Sequence, residues 1–242
     1  MSKNMDVSKR KQSIIAGGLI SSAGIFFAKF IGLFYAVPYN SMLGTADNLA
    51  YYGVAFNIYS YLLNICTAGF PFAIATLIAK YSTRGDYQTS LLIKKLSASL
   101  MTCFGFGMMI IVILFSSPLA ALVMPDEGDS VKTMQMVLIL ISFALFFVPL
   151  LSSIRGFYQG LKHMEIYALS QVLEQVARVA FLLSASAIAV YALHTDQVWA
   201  LYFGVISTSI SAILAIMHLK LYDKKQMREL KRLAKTQEVA GN

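Results

Sequence analysis

The chain has 242 residues, of which 57% are hydrophobic and only 13% charged, with a mean hydropathy of +0.65. That composition excludes an ordinary soluble domain. The net charge of +8 comes without any basic–aromatic motif of a nucleic-acid-binding module, so no nucleic-acid partner is expected and membrane topology is the better explanation of the charge.

Six apolar segments, near residues 13–42, 49–80, 90–116, 132–154, 164–192 and 197–219, are each close to or above the length needed to cross a membrane. They predict an all-α, polytopic membrane bundle over 13–219, preceded by a short N-terminus, 1–12, and followed by a basic tail, 220–242. The first apolar run is too long for a signal peptide and lacks a cleavage site, so it reads as a retained helix. Cys66 and Cys103 sit in apolar runs and suggest no disulfide framework.

In the first span Lys29 lies about 22 Å along a helix from Ile14, deep in a hydrocarbon core of about 30 Å. Gly18, Ser22, Gly32 and Ala36 fall near the same side and allow close approach of another helix. Two readings stand for Lys29: a buried cation neutralised by Glu174, or a cationic contact in a cavity. In the second span Asn57, Tyr61, Asn64 and Ala68 form a stripe at i, i+4, i+7 and i+11. Its asparagines suit interhelical hydrogen bonds or substrate contacts equally. Gly69 and Pro71 then predict a kink near Thr67.

Gly105 and Gly107 in the third span read as close helix packing. The stretch from Ser117 to Ser130, with Pro118, Pro125 and Gly128, reads as an exposed turn region without chemistry. The fifth span carries Gln171, Glu174, Gln175 and Arg178 at i, i+3, i+4 and i+7. One helical face therefore holds an acid, a base and two amides, and such a face must meet protein or a water-filled cavity rather than lipid. Glu174 precedes Arg178 by four residues, the favourable order for an intrahelical pair. With Lys29 the interior set is two cations and one anion, which suits an anionic ligand.

The loops alternate in charge. Lys3, Lys9, Arg10, Lys11, then Lys80, Arg84, Lys94, Lys95, then Arg155 and Lys162, then the tail from Lys220 to Lys235 fall on one side. Asp47, then Asp126, Glu127 and Asp129 with Lys132, then Asp196 fall on the other. The positive-inside rule puts both termini in the cytoplasm. Trp199, Tyr191, Tyr202, Tyr51 and Tyr52 sit near the outer interface, as in an aromatic belt. The tail reads as a helix extension, or as a helix lying on anionic lipid. His163, His194 and His218 are scattered, and neither a phosphate loop nor a nucleophile–base pair is visible. No metal, no cofactor and no enzymatic activity are expected.

Three segments, AKFIGLFYAVPYNSMLG from Ala28, NIYSYLLNICTAGFPFAIATLIAKYSTRGDY from Asn57 and RGFYQGLKHMEIYALSQVLEQVARV from Arg155, resemble the stage V sporulation protein B family. That family belongs to the polysaccharide transporters of the multidrug/oligosaccharidyl-lipid/polysaccharide exporter superfamily, with lipid II flippases and MATE transporters as relatives. The resemblance implies one six-helix lobe of a two-lobed, alternating-access transporter, in the plasma membrane of a bacterium, with an undecaprenyl-pyrophosphate-linked sugar as cargo. Members are roughly twice as long, so the chain resembles an N-terminal lobe. Lipid II flippases carry charged pairs where this chain has Tyr35 with Ala36 and Leu63 with Asn64. The sporulation-type branch therefore fits better, and Lys29 matches an arginine of the family. Ile166 replaces a usual proline after the turn between the fourth and fifth spans, which predicts a more helical turn.

On this resemblance Lys29 and Arg178 would contact the pyrophosphate. Glu174 would hold Arg178 or serve as a coupling site, and Asn57, Asn64, Gln171 and Gln175 would bind sugars. The cargo and membrane lipids are the expected partners, with a second six-helix lobe or a homodimer. The competing readings are a cation-coupled small-molecule exporter and a non-transporting, truncated membrane scaffold.

Cysteines introduced at Lys3, Arg84, Lys162 and Lys235 in a cysteine-free background are expected to label from the cytoplasm, and those at Asp47, Glu127 and Asp196 from outside. Labelling of Asp47 or Glu127 from the cytoplasmic side alone contradicts this topology.

Overall fold

The computed structural model describes residue 19, residues 22–124 and residues 128–236, apart from the side chains of residues 224–226. Lys3, Lys9, Arg10, Lys11, Gly18, Pro125, Asp126 and Glu127, which entered the sequence reading, lie outside the described residues. The elements are α1 (22–34), α2 (Ala36–Leu43), α3 (Ala46–Thr67), α4 (Phe70–Thr83), α5 (Tyr87–Leu114), α6 (Ser116–Val123), α7 (Asp129–Gly160), α8 (Met164–Ala187) and α9 (Val198–Thr236). A π-helical turn, Ile188–Ala192, closes α8.

Six spans result, because α1 with α2 and α3 with α4 each act as one broken span. The chain is an all-α, multi-pass membrane bundle, and no strand occurs among the described residues. Three helix starts are capped by nearby side chains. Thr45 Oγ1 accepts from the Asn48 N–H at 3.2 Å, Asp86 Oδ1 from the Thr89 N–H at 2.9 Å, and Asp196 Oδ1 from the Val198 N–H at 3.0 Å.

The expected break in the second span is real and is sharper than a kink. Ala68 and Gly69 leave the helix, and Gly69 takes φ 75°, a left-handed conformation that glycine adopts without penalty. Pro71 then sits in the first turn of α4, where its missing N–H costs nothing. The turn between α7 and α8 corrects another expectation. Despite Ile166 it is not helical: residues 161–163 form a tight reversal in which Lys162 takes φ 64°.

The bundle is built around α7 and α9. Their most apolar windows are 56% and 61% buried, against 11–22% for the other four spans. Small residues allow this centre to pack. A Cβ at Gly156 would lie 2.8 Å from the Pro71 carbonyl oxygen, and one at Gly160 would lie 2.6 Å from that of Ala75, so α4 rests directly on α7. Within α7, Pro149 has no N–H to offer the Leu145 carbonyl. That oxygen faces Gly105 of α5, where a Cβ would stand 2.6 Å from it. Gly105 is thus a packing glycine, as expected. Gly107 is not, since nothing lies within 4 Å of a Cβ placed there. On α9, Gly204 forms a notch for the Tyr39 ring, whose hydroxyl donates to the Ala200 carbonyl at 3.1 Å.

At one end of the bundle α5, α7 and α9 are clasped. Lys94 Nζ lies 2.6 Å from Asp223 Oδ2, and the Tyr158 hydroxyl donates to Asp223 Oδ1 at 2.7 Å. Lys94 also stands 4.6 Å above the Phe157 ring centroid. It is a structural residue inside α5, not the loop charge that the sequence suggested. Beyond the clasp α9 continues unbroken to Thr236, and Leu230 and Ala234 are buried. As far as Thr236 the tail is therefore a helix extension folded into the bundle's end, with no break at residue 219. The stretch after Ser117 is also not simply an exposed turn. It begins as α6, with Ser116 and Ala120 buried, and packs on α7. Tyr52 is half-buried against the core: its ring packs against Tyr39 at 5.1 Å and Phe56 at 4.5 Å between centroids.

Gly160→Ala is expected to destabilise the protein by about 1–3 kcal/mol, because the new methyl must displace helix backbone. Gly107→Ala has open space and better helix propensity, so it is expected to be neutral or stabilising by up to about 1 kcal/mol. Thermal unfolding of both variants in detergent measures the difference.

Candidate functional site: a cationic pocket between α1, α7 and α8

The α7–α8 reversal brings the last turns of α7 beside the first half of α8, running antiparallel. Arg155 reaches across this hairpin. Its Nη1 lies 2.8 Å from Glu174 Oε2, and its Nε donates to Ser170 Oγ at 2.8 Å. From the next turn of α8, Arg178 Nη2 donates to Glu174 Oε1 at 3.2 Å. Glu174 thus spends one oxygen on each guanidinium. The three side chains are well covered, at 11% exposure for Arg155, 12% for Glu174 and 24% for Arg178. Buried charges survive in such surroundings only when paired. Arg155 Nη2 and Arg178 Nε are nonetheless buried without a hydrogen-bond partner.

A seam of small residues on α1, Gly24, Ala28 and Gly32, faces α8. A Cβ on Gly24 would touch Val172, and one on Gly32 would stand 3.0 Å from Gln175 Nε2. Gly32 plays the part expected of it, while Gly24 and Ala28 take the place assigned to Ser22. Lys29 follows Ala28 and stands at the rim, exposed and without an ion-pair partner among the described residues. It does not neutralise Glu174; Arg155 and Arg178 do. The pocket is open on one side, has a volume of about 190 Å³ and is lined by Lys29, Arg155, Gln171, Glu174, Gln175 and Arg178, with Ile25 and Ala28. Three bases face one acid.

Five of the seven sequence-predicted site residues therefore meet in one place. Gln171 is held by its Nε2 donating to the Tyr167 hydroxyl at 3.0 Å. Asn57 and Asn64 do not join them. Both are exposed, on an outward stripe of α3 shared with Tyr61. The residue that sequence reasoning missed is Arg155, placed among the loop charges because the apolar run ends just before it. The available signal was that α7 continues past that run, with Gly156 and Gly160 at packing spacing. Among the described residues, no group of three or more His, Cys, Asp or Glu side chains comes together as a metal site.

A family model described as "Polysaccharide biosynthesis protein" matches residues 14–239. The chain belongs to the polysaccharide biosynthesis protein family. Among curated relatives in Bacillus subtilis (strain 168), the lipid II flippase MurJ is 32% identical over 223 residues, covering 90% of this chain and 40% of the relative. Stage V sporulation protein B is 28% identical over 171 residues, covering 70% of this chain and 32% of the relative. Identity is thus higher to the lipid II flippase than to the sporulation protein. The same lobe fold occurs in a MOP superfamily transporter from Pyrococcus furiosus, with a TM-score of 0.64 at 17% identity over 80% of this chain and 42% of that one. It also occurs in a lipid II flippase MurJ in an inward closed conformation, with a TM-score of 0.61 at 13% identity over 86% of this chain and 43% of that one. The chain spans about two-fifths or less of the length of the curated relatives it matches.

Proposed function

We propose that the chain acts as one lobe of a flippase for a lipid-linked, pyrophosphate-bearing oligosaccharide used in cell-envelope polysaccharide or peptidoglycan synthesis. The observation that carries this reading is the sign of the pocket: among the described residues, Lys29, Arg155 and Arg178 against Glu174 alone, inside an apolar bundle. An excess of positive charge in a low-dielectric wall attracts a phosphoryl headgroup and repels the cationic cargo of a drug exporter. Lys29 and Arg178 contact the pyrophosphate, Glu174 holds the arginines or couples transport to a cation, and Gln171 and Gln175 donate to sugar hydroxyls. Asn57 and Asn64 offer further hydrogen bonds from α3. The undecaprenyl chain stays in the bilayer among the membrane lipids. The charged pairs of lipid II flippases are replaced here by Tyr35 with Ala36 and Leu63 with Asn64, so the cationic wall is supplied by α1, α7 and α8 instead.

The same surfaces call for a second lobe. Lys29, Asn57 and Asn64 are exposed on membrane-spanning helices, and polar groups there are costly against lipid. A second six-helix lobe, or a second copy of the chain, would cover them and complete an alternating-access site near the midplane. Both termini then face the cytoplasm of a plasma-membrane protein.

The test is translocation of a lipid-linked sugar in proteoliposomes, with and without a complementary lobe. Lys29→Ala and Arg178→Ala are expected to lower the rate about tenfold or more, the worth of a charge-assisted hydrogen bond, while Lys29→Arg retains most activity. Normal transport by Lys29→Leu removes the headgroup role. A monodisperse single lobe that flips lipid-linked sugar unaided contradicts the half-transporter reading.

A further inference from the structure

The geometry of Arg155, Glu174 and Arg178 is that of an anion site with an occupant. A carboxylate bridging two guanidiniums, one oxygen to each, is the arrangement a phosphoryl group would make with the same pair. We propose that Glu174 is an internal competitor: its carboxylate occupies a two-arginine anion site, and a phosphoryl ligand binds by displacing it onto the pocket side, with Arg155 as a principal binding residue. This rests on the reading of an anionic cargo and goes beyond it, because it gives Glu174 a role opposite in sign to that of a simple orienting group.

Three observations support exchange over permanent pairing. First, the carboxylate leaves the site incompletely satisfied. Both Glu174 oxygens are engaged, yet Arg155 Nη2 and Arg178 Nε remain buried without partners. A phosphoryl group brings three terminal oxygens, enough to meet N–H groups that two cannot. Second, the two arms of the bridge are unequal. Arg155 is fixed independently of Glu174 by Ser170 Oγ at 2.8 Å, so its guanidinium keeps its direction when the carboxylate leaves. The Arg178 arm is longer, at 3.2 Å, and more exposed, so it is the arm that opens first. Third, the site is not sealed. It borders the pocket of about 190 Å³ whose rim carries Lys29, and among the described residues Glu174 is the only acid lining it. Replacing the carboxylate by a more highly charged anion at this position therefore improves the charge balance of the pocket instead of disturbing it.

The ligand class is a phosphoryl or pyrophosphoryl group, whether at the head of a lipid or free in solution. The test measures binding of two probes, inorganic pyrophosphate and a polyprenyl pyrophosphate, to the purified full chain in detergent by calorimetry and native mass spectrometry. Gel filtration and circular dichroism confirm that each variant is folded. Glu174→Gln is expected to bind about tenfold more tightly than the wild type, since it removes the competing charge while keeping the shape. Glu174→Asp keeps the charge but shortens the reach, so it is expected to tighten binding less; it decides the question if Glu174→Gln does not fold. Arg155→Gln is expected to weaken binding about tenfold or more. Tightening for both probes, or for the polyprenyl probe alone, supports the proposal. Tightening for inorganic pyrophosphate alone supports the site and contradicts a lipid-linked cargo. If the wild type binds and a folded Glu174 variant binds more weakly, the competitor role is overturned while the flippase reading stands. Unchanged binding by Arg155→Gln overturns the assignment of Arg155. Failure of the wild type and every folded variant to bind either probe overturns the flippase reading together with this one.

Discussion

A single carboxylate shared by two arginines fixes the geometry on which the pocket depends. Glu174 lies inside an apolar bundle, where an isolated charge costs several kcal/mol. It therefore pins whatever neutralises it. Because one partner, Arg155, comes from α7 and the other, Arg178, from α8 itself, the pair sets the register of the α7–α8 hairpin as well as the charge of its inner face. The tight reversal at residues 161–163 is the companion of that register: a longer or more helical connection would slide Arg155 past Glu174.

The rest of the fold serves to hold α7 still. Its outer side is clamped by helices that approach on glycine, α4 on Gly156 and Gly160, and α5 through its own Gly105. Its far neighbour α9 is held by the Tyr39 ring in the Gly204 notch and by the Lys94–Asp223–Tyr158 clasp. By contrast α1, which carries Lys29, meets α8 along a thin seam and is the least buried span. The arginine wall thus faces the least buried span. The first span is interrupted at Tyr35 and the second at Gly69.

Much of this was legible in the sequence, for identifiable reasons. Crossing a bilayer demands long apolar runs, so the six spans stood out. Polar residues inside such runs are rare enough that periodicity alone placed Gln171, Glu174, Gln175 and Arg178 on one face. Arg155 and Lys94 were read as loop charges because each lies near the end of an apolar run, where a base ordinarily marks the membrane border. In the folded chain the helices outlast the apolar runs, and both bases turn inward to partners, Glu174 and Asp223, that are distant in sequence. Asn57 and Asn64 share a face with each other, but helical periodicity carries no information about which neighbour that face meets. Tyr39 gave no signal, since its role depends on a notch at Gly204 in a helix more than a hundred residues away.

The most direct measurement is a double-mutant cycle on Arg155 and Glu174, using Arg155→Met, Glu174→Met and the double variant, with unfolding free energies read by denaturant titration in mixed micelles. A buried bridge between two helices is expected to show a coupling of about 2 kcal/mol or more, and the Arg178–Glu174 cycle, within one helix and at 3.2 Å, a smaller one. Additivity of Arg155 and Glu174 within about 0.5 kcal/mol would contradict the claim that this shared carboxylate organises the pocket.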